Sequence, residues 1–144
     1  MFLGTYTPRL DEKGRLALPA KFRDKLAGGL VITRGQEHCL YVFAMTDFEQ
    51  LTAQMSNTPV TNRAVRNFQR VLLSAASDEI PDKQGRVTIP AVLREYAGLS
   101  KECTVIGTGN RVEVWDTAAW NDFLAATEDD FADQGEEVIP GGLF

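Results

Sequence analysis

One segment of this chain occurs twice. Asp11-Glu12-Lys13-Gly14-Arg15-Leu16-Ala17-Leu18-Pro19-Ala20-Lys21-Phe22-Arg23 aligns with Asp82-Lys83-Gln84-Gly85-Arg86-Val87-Thr88-Ile89-Pro90-Ala91-Val92-Leu93-Arg94, and Asp, Gly, Arg, Pro, Ala and Arg coincide. The match resumes with Leu40-Tyr41-Val42-Phe43 over Val112-Glu113-Val114-Trp115, then Phe48 and Leu51 over Trp120 and Phe123. Each copy is a unit of roughly 45 residues, too small to bury a core easily by itself. The copies are therefore expected to intertwine or dock about a pseudo-twofold axis.

Both copies predict the same elements. Gly4 to Leu10 and Ser77 to Ile80 read as short extended segments, and Leu16 with Leu18, like Val87 with Ile89, alternate as half-buried strands do. The Asp-x-x-Gly between them reads as a hairpin loop, in which Asp accepts from amides further on and Gly takes a left-handed backbone. Pro19 and Pro90 suit the first position of the helices Ala20 to Ala27 and Ala91 to Ala97. A second hairpin follows in each copy, Leu30 to Thr33 with Cys39 to Phe43, and Thr104 to Ile106 with Arg111 to Trp115. Thr46 to Ser56 is then predicted as a helix opened by the capping box Thr46-Asp47-Phe48-Glu49, and Asp116 to about Ala126 as its counterpart, capped by Asp116. Between the copies, Thr61 to Ala76 predicts a helix with an apolar face of Ala64, Val65, Phe68, Val71, Leu72 and Ala75. The expected organisation is residues 1–57, first repeat; 58–76, linking helix; 77–126, second repeat; 127–144, a flexible acidic tail.

Charge first argues against a nucleic-acid partner, since 15 Lys and Arg stand against 20 Asp and Glu, a net charge of -5 over 144 residues. Position changes that reading. Residues 127–144 hold six acids and no base; without them the balance is +1, and residues 1–70 alone carry +4. The acidity belongs to the tail and the second copy. Hydrophobic residues make up 44%, enough for a buried core, but no apolar run approaches the ~18 residues of a membrane span. Met1-Phe2-Leu3 lacks the basic segment of a signal peptide, so a cytoplasmic location is expected. Cys39 and Cys103 fit two reduced thiols better than a disulfide or zinc site, and neither a metal nor a cofactor is expected.

Arg15 and Arg86 are the residues most able to carry chemistry. Each ends a loop, lies on the strand face opposite the apolar residues, and occurs twice by repetition. One reading is a surface ion pair with Asp11 or Asp82. The other uses the guanidinium fork, which donates to phosphate oxygens or to the O6 and N7 edge of guanine. Residues 9–25, with Arg9, Lys13, Arg15, Lys21, Arg23 and Lys25 against three acids, have a local charge of +3 and favour the second. Arg63, Arg66 and Arg70 form a stripe on the linking helix, read first as a subunit contact and second as a phosphate contact. No enzyme is expected: His38 has no evident nucleophile partner, and no phosphate-binding loop or dinucleotide fingerprint occurs.

With two Asp-x-x-Gly-Arg-x-x-x-Pro motifs and the arginine helix between them, the sequence resembles the MraZ family of bacterial regulators, built from two tandem AbrB-like domains. The resemblance runs from Met1 to about Ala126 and leaves the acidic tail outside. It implies an α+β, mainly β, fold: a double-ψ or swapped-hairpin AbrB-like β-barrel of two pseudo-symmetric repeats with flanking helices. It also implies a ring-shaped homo-oligomer that binds short, G-rich direct repeats in double-stranded promoter DNA. In that role the protein would sit on the nucleoid and repress the cell division and cell wall gene cluster, including its own promoter. Arg15 and Arg86 would read base edges or phosphates. Lys13, Lys21, Lys83 and Arg9 would add phosphate contacts, and Asp11 with Gly14 and Asp82 with Gly85 would shape the loops. The alternative is a non-enzymatic, antitoxin-like module that holds a protein partner through its tail.

Overall fold

The computed structural model describes residues 1–135 and 138–143. In chain order the elements are β1 (Phe2–Tyr6), β2 (Arg15–Ala17), α1 (Ala20–Leu26), β3 (Leu30–Arg34), a 3-10 turn (Gln36–His38), β4 (Leu40–Ala44), α2 (Met45–Ser56) and α3 (Arg63–Ser74). The second half repeats the series as β5 (Ser77–Glu79), β6 (Arg86–Thr88), α4 (Ala91–Tyr96), β7 (Cys103–Gly109), β8 (Val112–Asp116) and α5 (Thr117–Ala132).

The copies exchange strands. Six strands form one sheet in the order β1-β7-β8-β4-β3-β5. β1 of copy one runs antiparallel to β7 of copy two, and β5 of copy two to β3 of copy one. At the centre β4 pairs with β8 across the pseudo-twofold, Tyr41 opposite Glu113. The remaining strands, β2 and β6, pair with each other in a two-stranded ribbon, and Leu16 also bridges back to Leu10. Alternation decides which side of the ribbon is buried: Leu16 and Val87 are 0% and 3% exposed, while Arg15, Ala17, Arg86 and Thr88 face outward.

One core serves both copies. Phe2, Leu18, Phe22, Leu26 and Leu40 from the first half pack in the same cluster as Ile89, Leu93, Val105, Val112 and Val114 from the second. Phe22 meets Phe2 and Tyr6 edge-on, each at 5.2 Å between ring centroids. Two satellite clusters place α2 and α5 in matching roles: Phe48 packs with Val31 and Phe43, and Trp120 with Phe123 packs against Trp115. The expected intertwining is thus a strand exchange around one core.

Several local expectations need correction. Pro19 and Pro90 stand at the N-caps, with extended ψ of 137° and 147°, one residue before their helices. The Thr46 capping box does not form; β4 runs straight into α2, whose N-cap is Ala44, and the Met45 amide donates to the Gly29 carbonyl at 3.1 Å. Asp116 stands at the N-cap of α5 without a side-chain cap hydrogen bond, and its carboxylate accepts from the Ser100 amide and hydroxyl instead. α5 continues to Ala132, so the first residues of the expected tail are helical. Glu136, Glu137 and Phe144 of that tail lie outside the described residues. α3 spans Arg63–Ser74, capped by the Asn62 side chain, and of its expected apolar face only Leu72 is buried. Phe68 and Val71 are 50% and 53% exposed, because α3 rests on β3 along one edge, where Thr33 donates its hydroxyl to the Leu72 carbonyl.

Candidate nucleic-acid interface

The two motif loops are near copies of each other. In the first, Asp11 Oδ1 accepts from the Lys13 and Arg15 amides at 2.9 and 2.8 Å, and Oδ2 accepts from Arg15 Nε at 2.7 Å. In the second, Asp82 Oδ1 accepts from the Gln84 and Arg86 amides, both at 2.9 Å, and Oδ2 from Arg86 Nε at 2.9 Å. Backbone bonds from the Asp11 amide to the Arg15 carbonyl, and from Asp82 to Arg86, close each turn at 2.9 Å. Gly14 and Gly85 supply the left-handed corner at φ 75° and 73°. The Arg15 amide, more than any other group, holds the Asp11 carboxyl below the usual carboxylate range, and the Arg86 amide does the same for Asp82. Each aspartate thus bonds the amides and the arginine at the far end of its own loop.

Of the two readings of the arginines, the ion pair with the loop aspartate is present in both copies. Each guanidinium uses Nε on its aspartate, and among the described residues no hydrogen bond occupies its terminal nitrogens. Those nitrogens form the outer edge of the fork. The ribbon register sets Arg15 opposite Thr88 and Arg86 opposite Ala17, so the two guanidiniums stand diagonally on one outward face. Cα atoms on such a diagonal lie roughly 7–8 Å apart. The loops are also stitched across copies: the Ile89 amide donates to the Gly14 carbonyl at 2.8 Å, and the Leu18 amide to the Gly85 carbonyl at 2.9 Å.

Around this pair, Lys13 and Lys83 are exposed on the loops and Lys21 is exposed in the first turn of α1. Arg9 is already engaged, with Nη2 3.1 Å from Glu102 Oε1 in an exposed pair that offsets its charge. The arginines of α3 belong to another surface: Arg63 and Arg70 are exposed, while Arg66 Nη1 donates to the Val60 and Thr61 carbonyls at 2.9 and 3.0 Å.

Nucleophilic chemistry finds no support in the thiols or the imidazole. Cys39 and Cys103 are free and buried; burial pushes both thiols up, that of Cys103 to about 11. His38 stacks on Tyr96 at 4.7 Å between ring centroids, with Nδ1 3.1 Å from the Tyr96 carbonyl. It is a packing residue. Sequence reasoning gave Arg23 and Arg94 a charge but no place in the site. Arg23 Nε donates to the Leu18 carbonyl and Arg94 Nε to the Ile89 carbonyl, both at 3.0 Å, and each guanidinium lies over the loop glycine of the other copy. Their coincidence at the end of the repeated segment was the available signal.

Strand exchange about a pseudo-twofold axis, with an outward ribbon flanked by two near-identical Asp-x-x-Gly loops, defines a single-chain protein of the AbrB-like class. The match to known sequences narrows this to one family. The chain fits the family model described as "MraZ protein, putative antitoxin-like" twice, over residues 1–71 and 72–139. It is 61% identical over 141 residues to the transcriptional regulator MraZ of Micrococcus luteus, covering 98% of this chain and 99% of that protein. The proteins of the same name from Kineococcus radiotolerans and Thermobifida fusca are each 59% identical over 143 residues, covering 99% of this chain and all of theirs. The chain belongs to the MraZ family. No helix among the described residues is long and apolar enough to cross a membrane.

Proposed function

We propose that this protein is a transcriptional regulator that binds short, G-rich direct repeats in double-stranded promoter DNA through the β2–β6 ribbon. The observation that carries the reading is the diagonal pair Arg15 and Arg86 on one outward face, each guanidinium fixed through Nε with its outer nitrogens unbonded among the described residues. A fork held in this way is pre-organised for a guanine edge or a phosphate. Lys13, Lys21 and Lys83 supply phosphate contacts, and Arg9 contributes less because Glu102 shares its charge. The loops of Asp11 with Gly14 and Asp82 with Gly85 set the direction of approach.

One ribbon offers few contacts, so affinity depends on several subunits reaching successive repeats at high effective concentration. A head-to-tail ring supplies them. The exposed Phe68 and Val71 on α3, with Arg63 and Arg70 beside them, support this helix as the subunit contact. The regulated genes are the cell division and cell wall cluster, the protein's own promoter included, with repression as the outcome on the nucleoid.

Labelled duplexes carrying one to four repeats test the reading. Affinity rises with repeat number and falls with salt at a slope near -0.9 per phosphate neutralised. Unchanged binding in the double variant Arg15→Ala/Arg86→Ala refutes it. A second reading, a protein partner held by the tail, draws on Phe131, Val138 and Leu143, which are 81%, 69% and 66% exposed. Because α5 runs to Ala132, removing residues 133–144 leaves the helix whole and separates the two. With Phe131→Ala added, a partner module loses its partner, whereas the DNA reader binds as well or better without the three acids of residues 133–144.

A further inference from the structure

We infer that Arg23 and Arg94 are crossed positioning residues: each braces the motif loop of the opposite copy, so that Arg86 is aimed from copy one and Arg15 from copy two. The inference rests on the DNA-reading role of the ribbon and names what holds its two forks in register.

The geometry begins at the strand ends. Leu18 donates its amide to the Gly85 carbonyl, so the end of β2 already lies against the second loop. Arg23 follows in α1 and turns back, Nε donating to the Leu18 carbonyl at 3.0 Å. Its guanidinium then lies against Gly85, where a Cβ would come within 2.8 Å of both Cδ and Cζ of Arg23. Arg94 repeats the arrangement, with Nε on the Ile89 carbonyl and its Cζ 3.0 Å from a Cβ at Gly14. Gly14 and Gly85 are buried although they sit in surface loops, and the opposing arginine is the cover.

Each loop is therefore held by three devices: its own aspartate network, the backbone bond from the opposite copy to its glycine carbonyl, and the opposing arginine. The aspartate network fixes its internal shape, using only residues of its own copy. The opposing arginine fixes its attitude to the ribbon. A loop without the cover keeps its turn and its backbone bond to the opposite copy but pivots about that bond, and its fork must be ordered again when DNA binds. Arg23 thus acts through Arg86, and Arg94 through Arg15. A simple phosphate contact has no such crossed dependence, because it would couple to no particular fork.

Double-mutant cycles on the full-length protein, with a duplex of fixed repeat number and salt, read this directly. Arg23→Ala weakens binding roughly tenfold, in the middle of the range for coupled neighbours. In the Arg86→Ala background the same change costs less than about twofold, whereas with Arg15→Ala the losses multiply as for independent sites. Arg94→Ala mirrors this, coupling to Arg15 and not to Arg86. Arg23→Lys keeps the charge but loses the Nε bond and the planar cover, and it does not rescue. Equal coupling to both forks, full rescue by lysine, or a salt slope lowered by about 0.9 in Arg23→Ala overturns the inference. Amide exchange without DNA keeps this separate from the DNA-binding role itself. Arg23→Ala speeds exchange at Gln84, Gly85 and Arg86 while Lys13, Gly14 and Arg15 keep their protection, and Arg94→Ala does the reverse. Uniform loss of protection, or none, refutes the bracing even if no duplex binds.

Discussion

The two copies agree where geometry is demanding and part where surfaces face outward. Their loops share the same hydrogen bonds to within 0.2 Å and the same glycine φ to within a few degrees. Their charges do not follow. Residues 9–25 carry +3, while the matching residues 80–96, with Lys83, Arg86 and Arg94 against Asp82 and Glu95, carry +1. The hairpins differ too: β3 and β4 are joined by a turn in which Glu37 and His38 adopt positive φ and which docks on Tyr96 of copy two, whereas Asn110 and Arg111 suffice between β7 and β8. α2 ends at Ser56, but α5 runs on to Ala132 and turns acidic. The two copies thus share the loop geometry that fixes each arginine through Nε and differ in the surfaces around it.

The core offers the hardest test of whether these are halves or independent units. Phe22→Ala should cost about 3–5 kcal/mol and its counterpart Leu93→Ala about 2–5. Both should lower one shared cooperative transition, recorded by the fluorescence of Trp115 and Trp120 and by far-ultraviolet circular dichroism. Two separate transitions would break the picture of a common core. Binding comes next: Arg15→Ala and Arg86→Ala should each cost about 1–3 kcal/mol per contacted site, with Arg15 nearer the upper end because its surroundings are more basic. Equal losses in a fluorescence-anisotropy titration would show that the local charge difference does not reach the DNA.

Smaller effects probe the loops. Gly85→Ala and Gly14→Ala should each lose about 1–2 kcal/mol of stability for the left-handed backbone alone. Gly85 should lose more, since its covering arginine sits closer. Chemical denaturation ranks them, and the reverse order would contradict the tighter fit. The smallest effect is acid dependence. Both aspartates have folded pKa values depressed below the unfolded ones, so their stabilisation is complete above the ordinary carboxylate range and is lost as pH falls through the lowered values. Asp11→Asn and Asp82→Asn should flatten that acid limb by similar small amounts in a series of melts against pH. A limb altered by only one of them would mean that the loops are less alike than their hydrogen bonds.

What the sequence disclosed was whatever repeats or alternates. The loop aspartates and glycines, the outward arginines and the inward Leu16 and Val87 all follow from a doubled motif read with a two-residue period. The strand exchange was anticipated only as a need for the copies to share a core, because nothing in the pattern of β1 names β7 as its partner. Arg23 and Arg94 were missed for the same reason: their function depends on a glycine in the other copy. The face of α3 misled differently, since helical periodicity marks an apolar stripe but not what covers it, and here Phe68 and Val71 stay open within the chain. Thr46 failed as a cap because β4 leaves no break before the helix.

The exchange of edge strands also sets a timetable for synthesis. Phe2 pairs with Gly109, so the first strand to leave the ribosome waits for nearly the last. At ~5–20 residues per second the interval is on the order of 5–20 seconds, during which β1 lacks its neighbour and β3 awaits β5. Unpaired edges of this kind invite pairing with other chains. A message broken after the first repeat would therefore yield a sticky fragment for proteases to clear, and no folded half-length protein.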